Sequence, residues 1–237
     1  MKGKFNNSRR GDKKEHTFNV AEWEPLTELG RQVKAKEITT LDQIFHDGRK
    51  IEETEIIDAL LPDINSDIIE IESVQRMTKN NRKQKFRATA VVGDGRGHVG
   101  VGIGKDIEVK AAMSTAVKNA KKHMIPVMFG CGSWQCDCGT HHSIPFTVSG
   151  KCGGVEVILK SAPRGTGLVA SSPVRKMLEL AGLKDVWSFS KGRTKSRYNT
   201  LVAVWRALVK IISMKNLEAV EVSEHNSEMV KEIAKAA

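Results

Sequence analysis

The stretch "KQKFRATAVVGDGRGHVGVGIGKDIEVKAAMSTAVKNAKKHM", Lys83–Met124, decides how the first half of the chain folds. Its hydrophobic period changes along the way. Phe86, Ala88, Ala90 and Val92 alternate with Lys85, Arg87 and Thr89, the period of two that marks a strand. Val99, Val101 and Ile103 do the same against Gly100, Gly102 and Gly104. Between the two runs, Asp94-Gly95 and Gly97 supply hairpin-turn chemistry. After Lys105 the pattern becomes helical, with a face of small residues at Ala111, Ala112, Thr115 and Ala116. Asp106 is the expected N-cap, Glu108 lies in the first turn, and Lys121, Lys122 and His123 fall in the last turn, all matching the helix dipole. Upstream, "DIIEIESVQRMT" alternates Ile69 and Ile71 with Glu70 and Glu72. Three antiparallel strands followed by a helix is the expected arrangement.

Gly95, Gly97 and Gly100 also satisfy G-x-G-x-x-G. A dinucleotide loop needs a helix directly after these glycines, and a strand pattern follows instead. A phosphate loop needs Gly-Lys-Ser/Thr, and Asp106 stands after Gly104-Lys105. The glycines therefore read as geometry. Gly100, Gly102 and Gly104 leave one face of the third strand without side chains. Either the Ala-rich helix packs there, or an RNA backbone approaches a face flanked by Arg96, His98 and Lys105.

Working outward, residues 1–20 are basic, lack periodicity and are expected to be a disordered arm. "TTLDQIF" reads as a helix capped by Thr40, and "EETEIIDALL" as a helix stopped by Pro62. The first domain is thus expected over 21–125, with a boundary near Pro126. The second, over 126–215, reads β-β-α-β-α and carries a Cys/His insert at 129–143. Its strands are "IPFTVSG", "GVEVILKSAP" and "DVWSFS". Its first helix is "SSPVRKMLELAG", with Ser171 or Ser172 as cap, Pro173 in the first turn and Gly182 at the end. Its second, "KSRYNTLVAVWRALVKII", carries a stripe of Leu201, Val204, Trp205, Leu208 and Ile211. Residues 216–237 form a tail. The fold class is α+β.

The 237 residues carry 38 Lys and Arg against 28 Asp and Glu, a net charge of +10. That balance favours an anionic partner. From Gln75 to His123 bases outnumber acids twelve to three, and from Lys184 to Lys215 eight to one. No apolar run approaches the roughly 20 residues of a membrane span, and the N-terminus lacks a signal peptide's apolar segment. A soluble cytoplasmic protein is expected, with no membrane partner and no small-molecule substrate. The sharpest nucleic-acid signal is "RMTKNNRKQK", where Arg76, Lys79, Asn80, Asn81, Arg82, Lys83 and Lys85 supply charge and amides suited to phosphates and sugars. Arg96, His98 and Lys105 extend it, and "SKGRTKSRYN" adds Lys191, Arg193, Lys195 and Arg197. Aromatic residues are sparse, which favours folded RNA read by backbone and shape over stacked single strands.

"FGCGSWQCDCGTHHSIPF" places Cys131, Cys136 and Cys138 within eight residues of one another, followed by His141 and His142. Three thiols and either histidine would suit one tetrahedral zinc, and free thiols in a reducing cell are the alternative. Four protein ligands would make such a site structural. The zinc-deaminase pattern is absent. In "SAPRGTGLVASSP", Arg164, Gly165, Thr166 and Gly167 form a tight turn ahead of a helix, suited either to binding phosphate or to a purely structural bend. No Ser/His/Asp or paired-carboxylate arrangement emerges, so the chain is not expected to be an enzyme.

"VVGDGRGHVGVGIGKDIEVKAAMSTAVKNAKKHMIPV", "GKCGGVEVILKSAPRGTGLVA", "VRKMLELAGLKDVW" and "GRTKSRYNTLVAVWRAL" together resemble the small-subunit ribosomal protein five family, from about Trp23 to Lys215. The cysteine-rich insert and "TTLDQIF" resemble its archaeal branch. The resemblance implies a double-stranded-RNA-binding-like first domain and a ribosomal-type second domain. It implies binding to small-subunit ribosomal RNA near the decoding region and the point where messenger RNA enters, beside ribosomal proteins four and eight. The loop from Lys79 to Lys85 matches the family's RNA-reaching loop, with Lys-Asn-Asn-Arg-Lys where bacterial members carry Gly-Gly. Arg164 to Gly167 falls where the family meets protein four and bears on translational accuracy. In archaeal relatives the pattern CGSW-C-CG--H--PF is common, which implies His142 as a fourth zinc ligand. A structural role in the small subunit is the leading expectation. A zinc-dependent or regulatory double-stranded-RNA-binding protein outside the ribosome is the alternative.

Overall fold

The computed structural model of the chain describes residues 23–136, 138 and 141–215. The expected basic arm over 1–20 and the tail over 216–237 lie outside the described residues. Three short helices come first: α1 (Glu28–Lys34), α2 (Leu41–His46) and α3 (Thr54–Leu60). The sequence pattern did not announce α1, which Thr27 caps by accepting from the Gly30 N–H at 3.1 Å. Thr40 stands at the N-cap position of α2 as expected, but its hydroxyl makes no capping bond. Trp23, Leu29, Val33, Leu41, Ile44, Ile56 and Ile57 bury together into a small core of their own, with Met124 beneath.

The first sheet follows. β1 (Asn65–Met77), β2 (Arg82–Gly93) and β3 (His98–Asp106) are antiparallel neighbours in that order. A short fourth strand, β4 (Met124–Pro126), adds to the far edge of β3; three residues are too few to show a period. Helix α4 runs Val109–Lys122, with Glu108 rather than Asp106 at the N-cap position. Asp106 is still the last paired residue of β3, opposite Phe86, so it is spent on the sheet.

The bare face of β3 is filled by α4. A methyl group added at Gly100, Gly102 or Gly104 would overlap the helix backbone at Ala120, at Ala116 and Ala120, and at Ala112 respectively. Strand glycines two apart meet helix alanines four apart, because two strand residues and one helical turn advance by similar distances. Ala112, Ala116 and Ala120 are fully buried. No RNA backbone has room there, which settles that choice for the helix.

The opposite face of the same sheet, through Val91, Val99 and Val101, joins the core of the second half of the chain. There β5 (Val148–Cys152), β6 (Val155–Ser161), β7 (Leu168–Val169) and β8 (Val186–Gly192) form a sheet in the order β5-β6-β8-β7. The two-residue β7 is the one addition to the expected β-β-α-β-α order, and it pairs parallel with β8. Helix α5 (Ser172–Ala181) starts after Ser171, with Pro173 in its first turn, and ends on Gly182 at φ +86°. Helix α6 (Arg197–Lys215) buries the expected stripe of Leu201, Val204, Trp205, Leu208 and Ile211. Val202, Ala203, Ala207, Val209 and Ile212 are buried as well. Such all-round burial fits a helix packed between layers: α6 lies on β5 and β6 and also meets β3. Cys152 is buried in this core as a small apolar side chain. Among the described residues no helix is long and apolar enough to cross a membrane.

Candidate nucleic-acid interface and metal centre

The pairing of β1 with β2 runs from Asn65–Gly93 out to Met77–Arg82, whereas β3 stops opposite Phe86. Beyond that point the two strands continue as a two-stranded arm without a third neighbour. Arg76, Lys79, Asn80, Asn81, Arg82, Lys83 and Lys85 all lie on it and all are exposed. No acid stands between Ser73 and Phe86. Arg76 faces Lys83 directly across the ladder, a like-charge pair that costs stability in isolation and that an anion would relieve. The turn is closed by the chain itself. The Thr78 N–H donates to the Asn81 carbonyl at 2.9 Å, and Asn81 Oδ1 accepts from the Arg82 N–H at 2.7 Å. Asn81 thus spends part of its amide on turn geometry, while Asn80 is exposed.

At the base of the arm, Arg87 pairs with Glu72 across the strands, and Lys105 sits opposite Arg87, exposed. Lys191 near the end of β8, Arg193 and Lys195 on the turn after it, and Arg197 at the start of α6 are all exposed. Arg197 Nε lies 3.7 Å from Glu70 Oε1 on β1, which brings this second basic block beside the flank of the arm.

Arg96 and His98 do not join them. They sit at the other end of the twelve-residue β2, roughly 36 Å from the arm's tip at about 3.3 Å per residue. Arg96 is exposed, with a long contact of 3.5 Å to Asp63. His98, expected to flank an RNA contact, is engaged within the chain. Its Nδ1 lies 2.7 Å from Asp94 Oδ2, its Nε2 lies 3.1 Å from Asp42 Oδ1, and its ring stacks on Phe45. Both ring nitrogens are thus engaged within the chain. Burial alone would lower the His98 pKa, but the hydrogen bond and charge of Asp94, then those of Asp42, raise it. Burial would likewise raise Asp94, yet the His98 ring and the N–H groups of Arg96 and His98 hold that carboxyl at about 2.

In the insert, Cys131, Cys136, Cys138 and His142 converge, their ligand atoms all within 4.8 Å of one another. Cys138 Sγ is 3.5 Å from Cys131 Sγ and 3.2 Å from His142 Nε2, and Cys136 Sγ is 3.7 Å from the same nitrogen. Thiolates around a tetrahedral zinc at about 2.3 Å lie about 3.8 Å apart, so the donor set and its spacing fit that ion. His142 is the histidine that points inward, and His141 is exposed. Partial burial and then the neighbouring Cys138 thiol push the Cys131 thiol up to about 11. The segment is anchored on the second sheet's surroundings. Gly130 and Ser143 exchange backbone hydrogen bonds at 2.8 and 2.9 Å, and the His142 carbonyl accepts from the N–H groups of Lys184 and Asp185.

The Arg164–Gly167 turn lies on the surface, with Arg164 exposed and Gly165 and Gly167 at φ +88° and +73°. The N–H groups of both glycines donate to Asp185 Oδ1, at 3.1 and 2.8 Å. Asp185 is itself only 5% exposed. The sequence reading missed this residue, although a signal was present: it is the single acid in the basic block from Lys184 to Lys215. A lone acid in a basic block suits an internal partner, here the two glycine amides.

These features define the class: an α+β protein of two parts with a basic hairpin arm suited to an anionic partner such as RNA. Comparison with known sequences narrows it. Residues 64–128 match ribosomal protein S5, N-terminal domain, and residues 150–221 match ribosomal protein S5, C-terminal domain. The chain is 47% identical over 201 residues to the small ribosomal subunit protein uS5 of Methanocaldococcus jannaschii, covering 85% of this chain and 93% of that one. It is 50% identical over 186 residues to the uS5 of Aeropyrum pernix, covering 78% and 85%. The uS5 of Methanoregula boonei is 45% identical over 191 residues, covering 81% and 93%. The chain belongs to the ribosomal protein S5 (uS5) family. The alternative of a free regulatory RNA-binding protein is not favoured, and the family is structural rather than enzymatic. The Cys/His insert falls between the two matched domains.

Proposed function

We propose that this chain is a structural constituent of the small ribosomal subunit that binds ribosomal RNA with its hairpin arm. The observation that carries the reading is a two-stranded ribbon of exposed cations, free of acids, extending past the edge of its sheet in a chain of the uS5 family. Recognition by the arm rests on backbone charge and shape, since residues 74–85 include no aromatic side chain on which a base could stack. Lys105, Lys191, Arg193, Lys195 and Arg197 extend the contact along the arm's base, and Arg96, at the far end of β2, would meet a separate RNA segment. Co-sedimentation of a tagged chain with small subunits at moderate salt tests the assignment, and its absence from that fraction refutes it.

Finer parts of the reading follow the family resemblance. Ribosomal proteins four and eight are the proposed protein neighbours, with Arg164, Gly165, Thr166 and Gly167 contacting protein four and thereby influencing accuracy near the decoding region. An exposed arginine on a glycine-hinged turn supports that. Cross-links from position 164 that reach only RNA would count against it. The proposed division into two units falls near Pro126. One structural zinc is proposed at Cys131, Cys136, Cys138 and His142. Bound there, it would supply folding energy to an insert with few apolar residues. With four protein ligands it offers no open position for catalysis. Metal analysis of the purified chain should give one equivalent of zinc, removed by chelation.

A further inference from the structure

We infer that Asp185 is a positioning residue that couples the Cys/His metal centre to the Arg164–Gly167 turn, so that loading the centre orders the turn. The inference rests on the zinc reading above and goes beyond it. The two carboxylate oxygens of Asp185 face opposite ways. Oδ1 accepts from the N–H groups of Gly165 and Gly167, and Oδ2 lies 2.8 Å from His142 Nδ1. On its other side the His142 ring presents Nε2 to the Cys136 and Cys138 thiols. One imidazole therefore separates the thiols from the carboxylate, and one carboxylate separates that imidazole from the turn.

Two details leave room for the link to tighten. Both side chains are 7% exposed, and His142 Nδ1 lies 2.8 Å from the carboxylate yet makes no hydrogen bond. A cation on Nε2 fixes the proton on Nδ1 and orients the ring, as carboxylate–histidine pairs behind metals do. The turn, for its part, has few other restraints. Nothing lies within 4 Å of where a side chain would start at Gly165 or Gly167. Among the described residues its other ties are bonds from Thr166 to the Pro163 carbonyl and from the Val186 N–H to the Gly167 carbonyl at 3.3 Å, where β7 begins to pair with β8. Orienting His142 therefore orients the carboxylate that holds two of the turn's amides. Reciprocally, whatever fixes the turn favours metal binding.

The test uses the full chain with cobalt(II) and zinc as probes, read by tetrahedral cobalt absorption and by amide hydrogen exchange over residues 163–168. In the unaltered chain, zinc should slow exchange at Gly165 and Gly167 about tenfold while leaving residues 78–82 of the arm unchanged. Asp185→Asn keeps an oxygen for the glycine amides but turns an N–H₂ toward Nδ1. That favours the tautomer with the proton on Nε2, so zinc affinity should fall by about 10–100-fold and loading should no longer slow the turn. Cobalt bound tetrahedrally with no change at Gly165 and Gly167 overturns the coupling and leaves the metal reading intact. Asp185→Asn with unchanged zinc affinity overturns the positioning role. No cobalt signal at all sinks the metal reading and the coupling with it. If Asp185→Asn does not fold, the exchange of the unaltered chain against zinc occupancy decides alone.

Discussion

Two glycine groups in this chain look alike as sequence and behave in opposite ways. Gly100, Gly102 and Gly104 on β3, and Gly165 and Gly167 in the surface turn, each lie beside basic residues, and each invites a phosphate reading. The first group has ordinary strand backbone and no space, because α4 occupies the position of every missing side chain. The second has left-handed backbone and open space around it. The first needs glycine for what approaches it and the second for the conformation it adopts. Only the second leaves backbone exposed near an arginine, and there the glycine amides already serve Asp185.

That contrast can be broken most directly at Gly102. Gly102→Ala should lower the unfolding free energy by about 3 kcal/mol, at the upper end for overpacking, because the added methyl meets backbone that cannot rotate away. Denaturant titration measures it, and a near-neutral result would mean that α4 does not seal the strand. Gly167→Ala should cost less, about 1–2 kcal/mol, the strain of left-handed backbone without a clash. Equal losses at both positions would erase the distinction.

A third variant probes the turn that leads into the β3 glycines. His98 is held protonated by Asp94 and Asp42 above its ordinary value of 6.5. A raised histidine pKa contributes stability that is fully present below the unfolded value and is lost as pH rises through the folded value. Asp94, depressed from 3.8 to about 2, contributes above pH 3.8 and loses its contribution only as pH falls toward 2. The unaltered chain should therefore lose stability as pH climbs above 6.5, and His98→Gln should flatten that decline. Melting temperatures from pH 5.5 to 9 would show it, and parallel curves for the two proteins would remove His98 from the account. The smallest stability effect is expected on the arm. Arg82→Ala with Lys83→Ala should change stability by less than about 0.5 kcal/mol. The same pair should reduce the salt slope of RNA binding by about 0.9 for each phosphate no longer neutralised. An unchanged slope would mean these two residues touch no phosphate.

Local chemistry made much of this legible. Alternation at Phe86–Val92 and Val99–Ile103 announced two strands, Gly182 announced the end of α5, and the acid-free run from Arg76 to Lys85 announced an exposed arm. Features that depend on a distant partner were not legible. β4 and β7 are too short to show a period and exist because β3 and β8 offer them an edge. Asp106 reads as a helix cap from its neighbours, but pairing with Phe86 claims it for the sheet. Nothing local to His98 announces that Asp42, 56 residues earlier, is brought against its ring.

By itself the sequence determined the periodicities, the basic blocks and the crowding of three thiols near two histidines, because each is a property of residues close together in the chain. Only the tertiary structure decided what seals the bare face of β3, which histidine turns toward the thiols, and that Asp185 joins that histidine to a turn 20 residues away. Those outcomes depend on close packing and on satisfying buried polar groups, and both are set by whichever distant residue the fold delivers to the site.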